Sequence, residues 1–126
     1  MARKTFSAPG AVAVGPYSHA VEAGDSVILS GQTPLDPATG ALVEGGMGRQ
    51  AEQCFRNLFA VLAAAGLGPG DVQQCRVYLT DMGDFAAMNE VYARQFEAPY
   101  PARTTIGVAA LPLGARVEIE LLARRG

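Results

Sequence analysis

Two β-like stretches lie close together near the end of the chain, PARTTI at positions 101–106 and RVEIEL at positions 116–121. Pro101 has no backbone N–H and biases the residue before it toward an extended conformation, so we expect a strand to begin near Arg103. The second stretch alternates apolar and charged residues, which is typical of a half-buried strand. The Arg103 guanidinium and the Glu118 carboxylate could therefore converge, although solvated charges at strand ends would give the same pattern.

Hydrophobic periodicity assigns the remaining elements. In the last strand, two glutamates and a leucine share one face, and the opposite face carries Val117, Ile119, Leu121 and Ala123. The predicted order is β-β-α-β-α-β-β, with strands at 17–22, 26–30, 71–80, 104–109 and 116–123 and helices at 50–65 and 84–96. We expect Asp84 to cap the second helix and residues 27–29 to be buried on both faces. This order predicts an α+β fold, a mixed sheet with both helices packed on one face.

Composition limits the kind of protein. With 126 residues, 49% of them hydrophobic, the chain is predicted to form one domain over residues 1–126. A formal charge of -2 argues against nucleic acid as a partner. No segment approaches the ~20 apolar residues that span a bilayer, so we expect a cytoplasmic protein without membrane contact. Cys54 and Cys75 lie far apart without metal-ligand spacing, which predicts reduced, buried thiols and no metal site.

Other candidate site residues each have an ordinary structural explanation. Asn89 interrupts an apolar stripe on the second predicted helix, so its amide needs a partner, either a neighbouring loop carbonyl or a ligand. Tyr17 follows a Gly-Pro turn and could serve packing alone. Ser30 and Gly31 end a strand where a ligand can approach the backbone, although Gly31 could serve only the turn. His19 is the sole histidine, so the sequence does not favour a serine triad.

Short motifs occur in one order along the chain: GPYS at 15–18, SGQ at 30–32, VYLTDM at 77–82, the helix at 85–92, PAR at 101–103 and EIE at 118–120. Together they resemble the Rid family of reactive intermediate deaminases, also called the YjgF family, from about residue 7 to the C-terminus. The resemblance implies a chorismate-mutase-like sheet and a homotrimer whose sites lie between subunits. His19 departs from the glutamine that is usual in the family, and we assign it no catalytic role.

The resemblance also implies a reaction, the hydrolysis of enamine and imine intermediates such as 2-aminoacrylate and 2-iminopropionate to 2-oxo acids and ammonia. Arg103 would grip the substrate carboxylate through two hydrogen bonds, and Glu118 would orient and deprotonate the attacking water. The cleft would be completed by Tyr17, Ser30, Gly31, Asn89 and Thr105. Many members carry cysteine at the position of Thr105, where main-chain contacts are expected to matter most. No cofactor is needed, because a protonated imine is already electrophilic.

Two alternatives to imine hydrolysis remain open. The first is a small-carboxylate-binding or holdase-like trimer that uses the same Arg103 clefts without turnover. Glu118 separates this hypothesis from the enzyme, since binding needs Arg103 alone and hydrolysis needs both residues. The second is an endoribonuclease, which the acidic balance and the absence of a histidine pair in the sequence argue against.

Overall fold

A computed structural model describes residues 2–11 and 13–126. The strands are β1 (Thr5–Phe6), β2 (Ala20–Ala23), β3 (Ser26–Gln32), β4 (Val72–Leu79), β5 (Ala102–Gly107) and β6 (Val117–Arg124), and the helices are α1 (Met47–Ala64) and α2 (Phe85–Gln95). The predicted α+β class is confirmed. The first strand, β1, was not predicted, because it has two residues and is too short to show periodicity. Strand β2 begins only at Ala20, so Tyr17 precedes it.

The sheet has the order β1-β2-β3-β6-β4-β5. All neighbouring strands are antiparallel except β4 and β5, which run parallel and are connected through α2. A parallel pair requires such a crossover, because a tight turn can join only antiparallel strands. The sheet is therefore mixed, as predicted, and β5 forms one of its edges.

Both helices pack on the same face of the sheet. The predicted inward residues of β6, from Val117 to Ala123, are at most 3% exposed, and they share one core with α1 and α2. The other face carries no helix, and Ile28 on that face is 49% exposed in the chain. The expectation that residues 27–29 are buried on both faces is therefore wrong, since the middle residue of the three points away from both helices.

The start of α2 differs from the predicted cap. Asp84 precedes the helix but makes no capping hydrogen bond with its side chain. Instead, Arg116 Nη2 donates to both carboxylate oxygens of Asp84 at 2.8 Å. The turn before α2 is capped by Asp81, whose Oδ1 accepts a hydrogen bond from the Gly83 backbone N–H at 2.8 Å. The Asp84 carboxylate thus connects the beginning of α2 to the beginning of β6.

Both cysteine side chains lie in the core of the chain. Cys54 and Cys75 are buried free thiols, and burial raises the pKa of Cys75 to about 11. Both are therefore protonated at neutral pH and poor nucleophiles. Within residues 2–11 and 13–126, no cluster of acidic, histidine and cysteine side chains has the arrangement of a metal site. In the same ranges, no helix is both long enough and apolar enough to cross a membrane.

Candidate functional site

Arg103 lies on the edge strand β5 and leans against α2. Its Nη1 donates a 2.7 Å hydrogen bond to Asn89 Oδ1. Its guanidinium carbon lies 4.6 Å from the centre of the Tyr92 ring and 5.5 Å from that of Phe85, within the range of cation–π attraction. The amide that interrupts the apolar stripe of α2 therefore has the Arg103 guanidinium as its specific partner, not a loop carbonyl.

This arrangement leaves the Arg103 charge unneutralised. Among the residues that the structure describes, no carboxylate lies within 4.0 Å of its guanidinium nitrogens. Only one of the five N–H groups of the guanidinium is used by Asn89, so several donors are available to a ligand. They face a groove of about 380 Å³ whose walls also include Tyr100 and Pro101. A planar cation with free donors in a groove is suited to bind a carboxylate.

Thr105 lies two residues further along β5, on the same face of the strand as Arg103. Its Oγ1 is buried and has no hydrogen-bond partner within the described part of the chain. Sequence reasoning missed Tyr92 and Phe85 as part of this region. Their spacing could have indicated it, because both rings lie on the same stripe of α2 as Asn89. The Arg103 guanidinium was already a candidate for the same site.

The second group of candidate residues lies on the helix-free face of the sheet. Tyr17, Ser30, Gly31 and Glu118 line one open groove of about 520 Å³. Ser30 attaches the segment before β2 to this groove, since its Oγ donates to the Ser18 carbonyl at 2.6 Å. The structure therefore brings these four residues together along one groove.

Gly31 has a steric role that the sequence did not reveal. A Cβ atom at this position would lie 2.5 Å from Glu118 Oε2 and 3.0 Å from Glu118 Cδ. Gly31 lies inside β3, where the pairing with β6 changes register between Leu29 and Gln32. Such bulges re-aim neighbouring side chains and are common beside active sites. The absence of a side chain at Gly31 thus makes room for the Glu118 carboxylate, and the residue is not part of a turn.

Glu118 and Glu120 share a strand face but have different surroundings. Glu120 accepts a hydrogen bond from the Tyr78 hydroxyl and lies 4.0 Å from Arg76 Nη1. Within residues 2–11 and 13–126, Glu118 has neither a hydrogen bond nor an ion pair from its side chain. Burial, and then the negative charge of Glu120, raise the pKa of Glu118. Glu118 is therefore the carboxylate that is free to exchange a proton.

The two groups do not meet within one chain. Arg103 pairs with Cys75 of β4, which pairs with Leu121 of β6, so Arg103 points to the helix side of the sheet. Glu118 pairs with Tyr78 and points to the other side. Within one chain, the expected convergence of the Arg103 guanidinium and the Glu118 carboxylate does not occur. Glu118 and Leu121 are three positions apart on a strand whose side chains alternate between faces, so they point to opposite faces, and Arg103 lies on the face of Leu121. Within one chain, the two side chains therefore lie on opposite faces of the sheet.

Comparison with known proteins supports the fold and the family. The sequence pattern of the family described as Endoribonuclease L-PSP matches residues 7–125. Protein DfrA of Myxococcus xanthus is 52% identical over 126 residues, covering 98% of this chain and 96% of the relative. The 2-iminobutanoate/2-iminopropanoate deaminase of Mus musculus is 46% identical over 125 residues, covering 98% of this chain and 93% of the relative.

A solved structure agrees equally well. RidA from the Antarctic bacterium Psychrobacter sp. PAMC 21119 has a TM-score of 0.92 and 47% sequence identity, over 97% of this chain and 99% of that one. The six-stranded mixed sheet with two helices is thus the architecture of that structure. The chain belongs to the Endoribonuclease L-PSP family, also known as the Rid or YjgF family, which confirms the resemblance inferred from the motifs.

Proposed function

We propose that this chain is a cofactor-independent hydrolase of 2-imino carboxylates, such as 2-iminopropionate, which it converts to 2-oxo acids and ammonia. The observation that carries the proposal is the state of Glu118, a half-buried carboxylate of raised pKa that lies over Gly31. Binding a carboxylate needs the Arg103 guanidinium alone, whereas hydrolysis also needs a base. The names of the relatives support the same reaction, since several are imine deaminases.

Arg103 would bind and orient the substrate. Its free N–H groups can hold the carboxylate through two parallel hydrogen bonds, while Asn89 and the Tyr92 ring fix the guanidinium plane. The imine carbon, attached directly to the carboxylate carbon, would then lie at a fixed distance from the guanidinium.

Glu118 would carry the proton transfers. As water adds to the carbon of the protonated imine, Glu118 accepts a proton from it, which gives a neutral carboxyl and a tetrahedral amino alcohol. That proton then passes to the amine nitrogen. When the C–N bond breaks, the hydroxyl proton goes to Glu118 and then to the released ammonia, so the carboxylate is restored and ammonium leaves with the 2-oxo acid. The net reaction consumes one water per imine and needs no oxidant or reductant.

We propose that these sites form between the subunits of a homotrimer. Arg103 and Glu118 leave the sheet on opposite faces, so a complete site would draw them from neighbouring copies. The helix-free face exposes Ile28 at 49% among polar and charged side chains such as Arg76 and Glu120, and a second copy would cover this mixed surface. A contact between two different surfaces of the same chain forms a ring when its rotation closes, and the family resemblance favours a ring of three.

The test measures ammonia or pyruvate release from 2-aminoacrylate that a dehydratase generates in situ, with and without this protein. We expect acceleration over the spontaneous rate, loss of that acceleration in Glu118→Gln, and retention of it in the matched Glu120→Gln variant. Binding of a 2-oxo acid to Glu118→Gln should persist. Binding by the unaltered chain without any acceleration would leave only the carboxylate-binding alternative. An inactive Glu120→Gln beside an active Glu118→Gln would assign the base to the other glutamate.

A ribonuclease function has less support from the residues. The family description names an endoribonuclease. The chain has a formal charge of -2 and one histidine, and that histidine is only 6% exposed. We expect any RNA binding to weaken steeply with salt and to survive Arg103→Ala, because it would involve scattered surface cations. RNA cleavage by purified protein that disappears in Arg103→Ala would favour the ribonuclease instead.

A further inference from the structure

The sole histidine of the chain is buried beside the groove that contains Glu118. His19 is 6% exposed, and its Nδ1 lies 2.9 Å from Nε2 of Gln32, which is itself 8% exposed at the end of β3. With the Gln32 amide as donor, Nδ1 is the acceptor and the ring proton is on Nε2. Burial lowers the pKa of His19, which favours this neutral form. The imidazole is thus held in one place by a buried side chain.

The Tyr17 ring packs against this fixed imidazole. The ring centroids are 5.9 Å apart with planes at 68°, an edge-to-face contact. Tyr17 is 41% exposed, and its hydroxyl makes a long 3.5 Å contact with the Val14 backbone N–H. The ring is therefore poorly enclosed, and the His19 contact is a well-defined restraint on its orientation over the groove.

The backbone around His19 is attached to the same groove. The His19 carbonyl accepts a 2.9 Å hydrogen bond from the Ser30 backbone N–H. Ser30 also lines the groove, next to the glycine that makes room for Glu118. His19 therefore connects two groove residues, Ser30 through its main chain and Tyr17 through its ring.

We propose that His19 is a positioning residue, whose imidazole is held by Gln32 and sets the orientation of the Tyr17 ring over the groove. This inference rests on the proposed function insofar as it concerns turnover. His19 touches neither the reacting carbon nor the water in this scheme. It acts through Tyr17, so its effect on catalysis should exist only while Tyr17 is present.

The kinetic test compares His19→Phe with His19→Leu. Both variants lose the bond to Gln32, and only the first keeps an aromatic edge against Tyr17. We expect kcat/KM for the imine to fall about two- to tenfold in His19→Leu, the range that loss of one aromatic contact allows, and to recover in His19→Phe. In a Tyr17→Ala background, His19→Leu and His19→Phe should have the same kcat/KM. A loss in His19→Leu of the same size in both backgrounds would show a general structural role and overturn the proposal.

A second measurement does not depend on turnover. Because the chain contains one histidine, its ring-proton NMR signal is unambiguous. Tyr17→Leu should shift this signal by removing the ring current, and the control Tyr100→Leu should leave it in place. An unchanged signal in Tyr17→Leu would refute the contact, and the proposal with it. The two proposals can fail separately. If Tyr17→Leu shifts the His19 signal but the unaltered chain does not accelerate imine hydrolysis, the contact is established and the proposed function is contradicted.

Discussion

Gly31→Ala should separate catalysis from folding. The added Cβ would lie 2.5 Å from Glu118 Oε2, whereas unstrained heavy-atom contacts are about 3.5 Å. The carboxylate must therefore move by about 1 Å, and a displacement of that size costs on the order of 100-fold in rate. At about 1.36 kcal/mol per factor of ten, this corresponds to roughly 2.7 kcal/mol of transition-state stabilisation. The effect on stability should be near the lower end of the ~1–3 kcal/mol usual for overpacking, because the displaced atoms end a flexible side chain.

The assay is kcat/KM for imine hydrolysis, combined with the midpoint of thermal unfolding. Gly70→Ala is the matched control, since a Cβ at Gly70 would have no heavy atom within 4 Å among the described residues. The control should keep its activity, and Gly31→Ala should lose activity while remaining folded. If Gly31→Ala retained the kcat/KM of the unaltered chain, the argument that this glycine seats the catalytic carboxylate would be refuted.

Four other predictions follow from the same geometry. Arg103→Lys should lose about 2–4 kcal/mol of transition-state stabilisation, because an ammonium cannot form the two-bond fork; near-native kcat/KM would contradict this. The pKa of Glu118 is raised above its ordinary value of 4.5, so kcat/KM should fall as the pH decreases, with the midpoint of the fall above pH 4.5. A midpoint at or below pH 4.5 would count against Glu118 as the base. Tyr92→Phe should unfold at the same or a higher temperature, because the buried Tyr92 hydroxyl has no hydrogen bond of ordinary geometry in the described chain, and a lower midpoint would show a missed partner. Refolding Arg103→Ala together with Glu118→Gln, each inactive alone, should restore some turnover, because the two residues leave opposite faces of the sheet and a hybrid assembly can hold one junction with both intact; no restoration would contradict sites shared between copies.

The sequence was sufficient to predict the elements whose periodicity is undisturbed. The alternation in β6 gave its buried face correctly, and helical spacing located α1 between Met47 and Ala64 with small errors at its ends. Asp84 was misassigned because a carboxylate before a helix is a common cap, and its ion pair with Arg116 joins residues 32 positions apart. Contacts across such a separation depend on the tertiary arrangement of the turn before α2 and the segment before β6, which no local pattern encodes.

The candidate site was predictable as a set of residues but not as an arrangement. Asn89 was singled out because an amide in an apolar stripe needs a partner, and the partner is Arg103. The faces to which Arg103 and Glu118 point depend on the registers of β4 with β5 and with β6. Register is set by tertiary packing, so the sequence could not reveal that the two residues lie on opposite faces. The same limitation concealed the close approach of Glu118 to Gly31.

The ion pair between Arg116 and Asp84 has a mechanical consequence. Arg116 lies two residues before Glu118, and Asp84 lies five residues before Asn89, the partner of Arg103. The two 2.8 Å bonds therefore clamp the strand that carries the carboxylate to the helix that braces the guanidinium. One ion pair in this way links the elements that carry the two grooves of a chain.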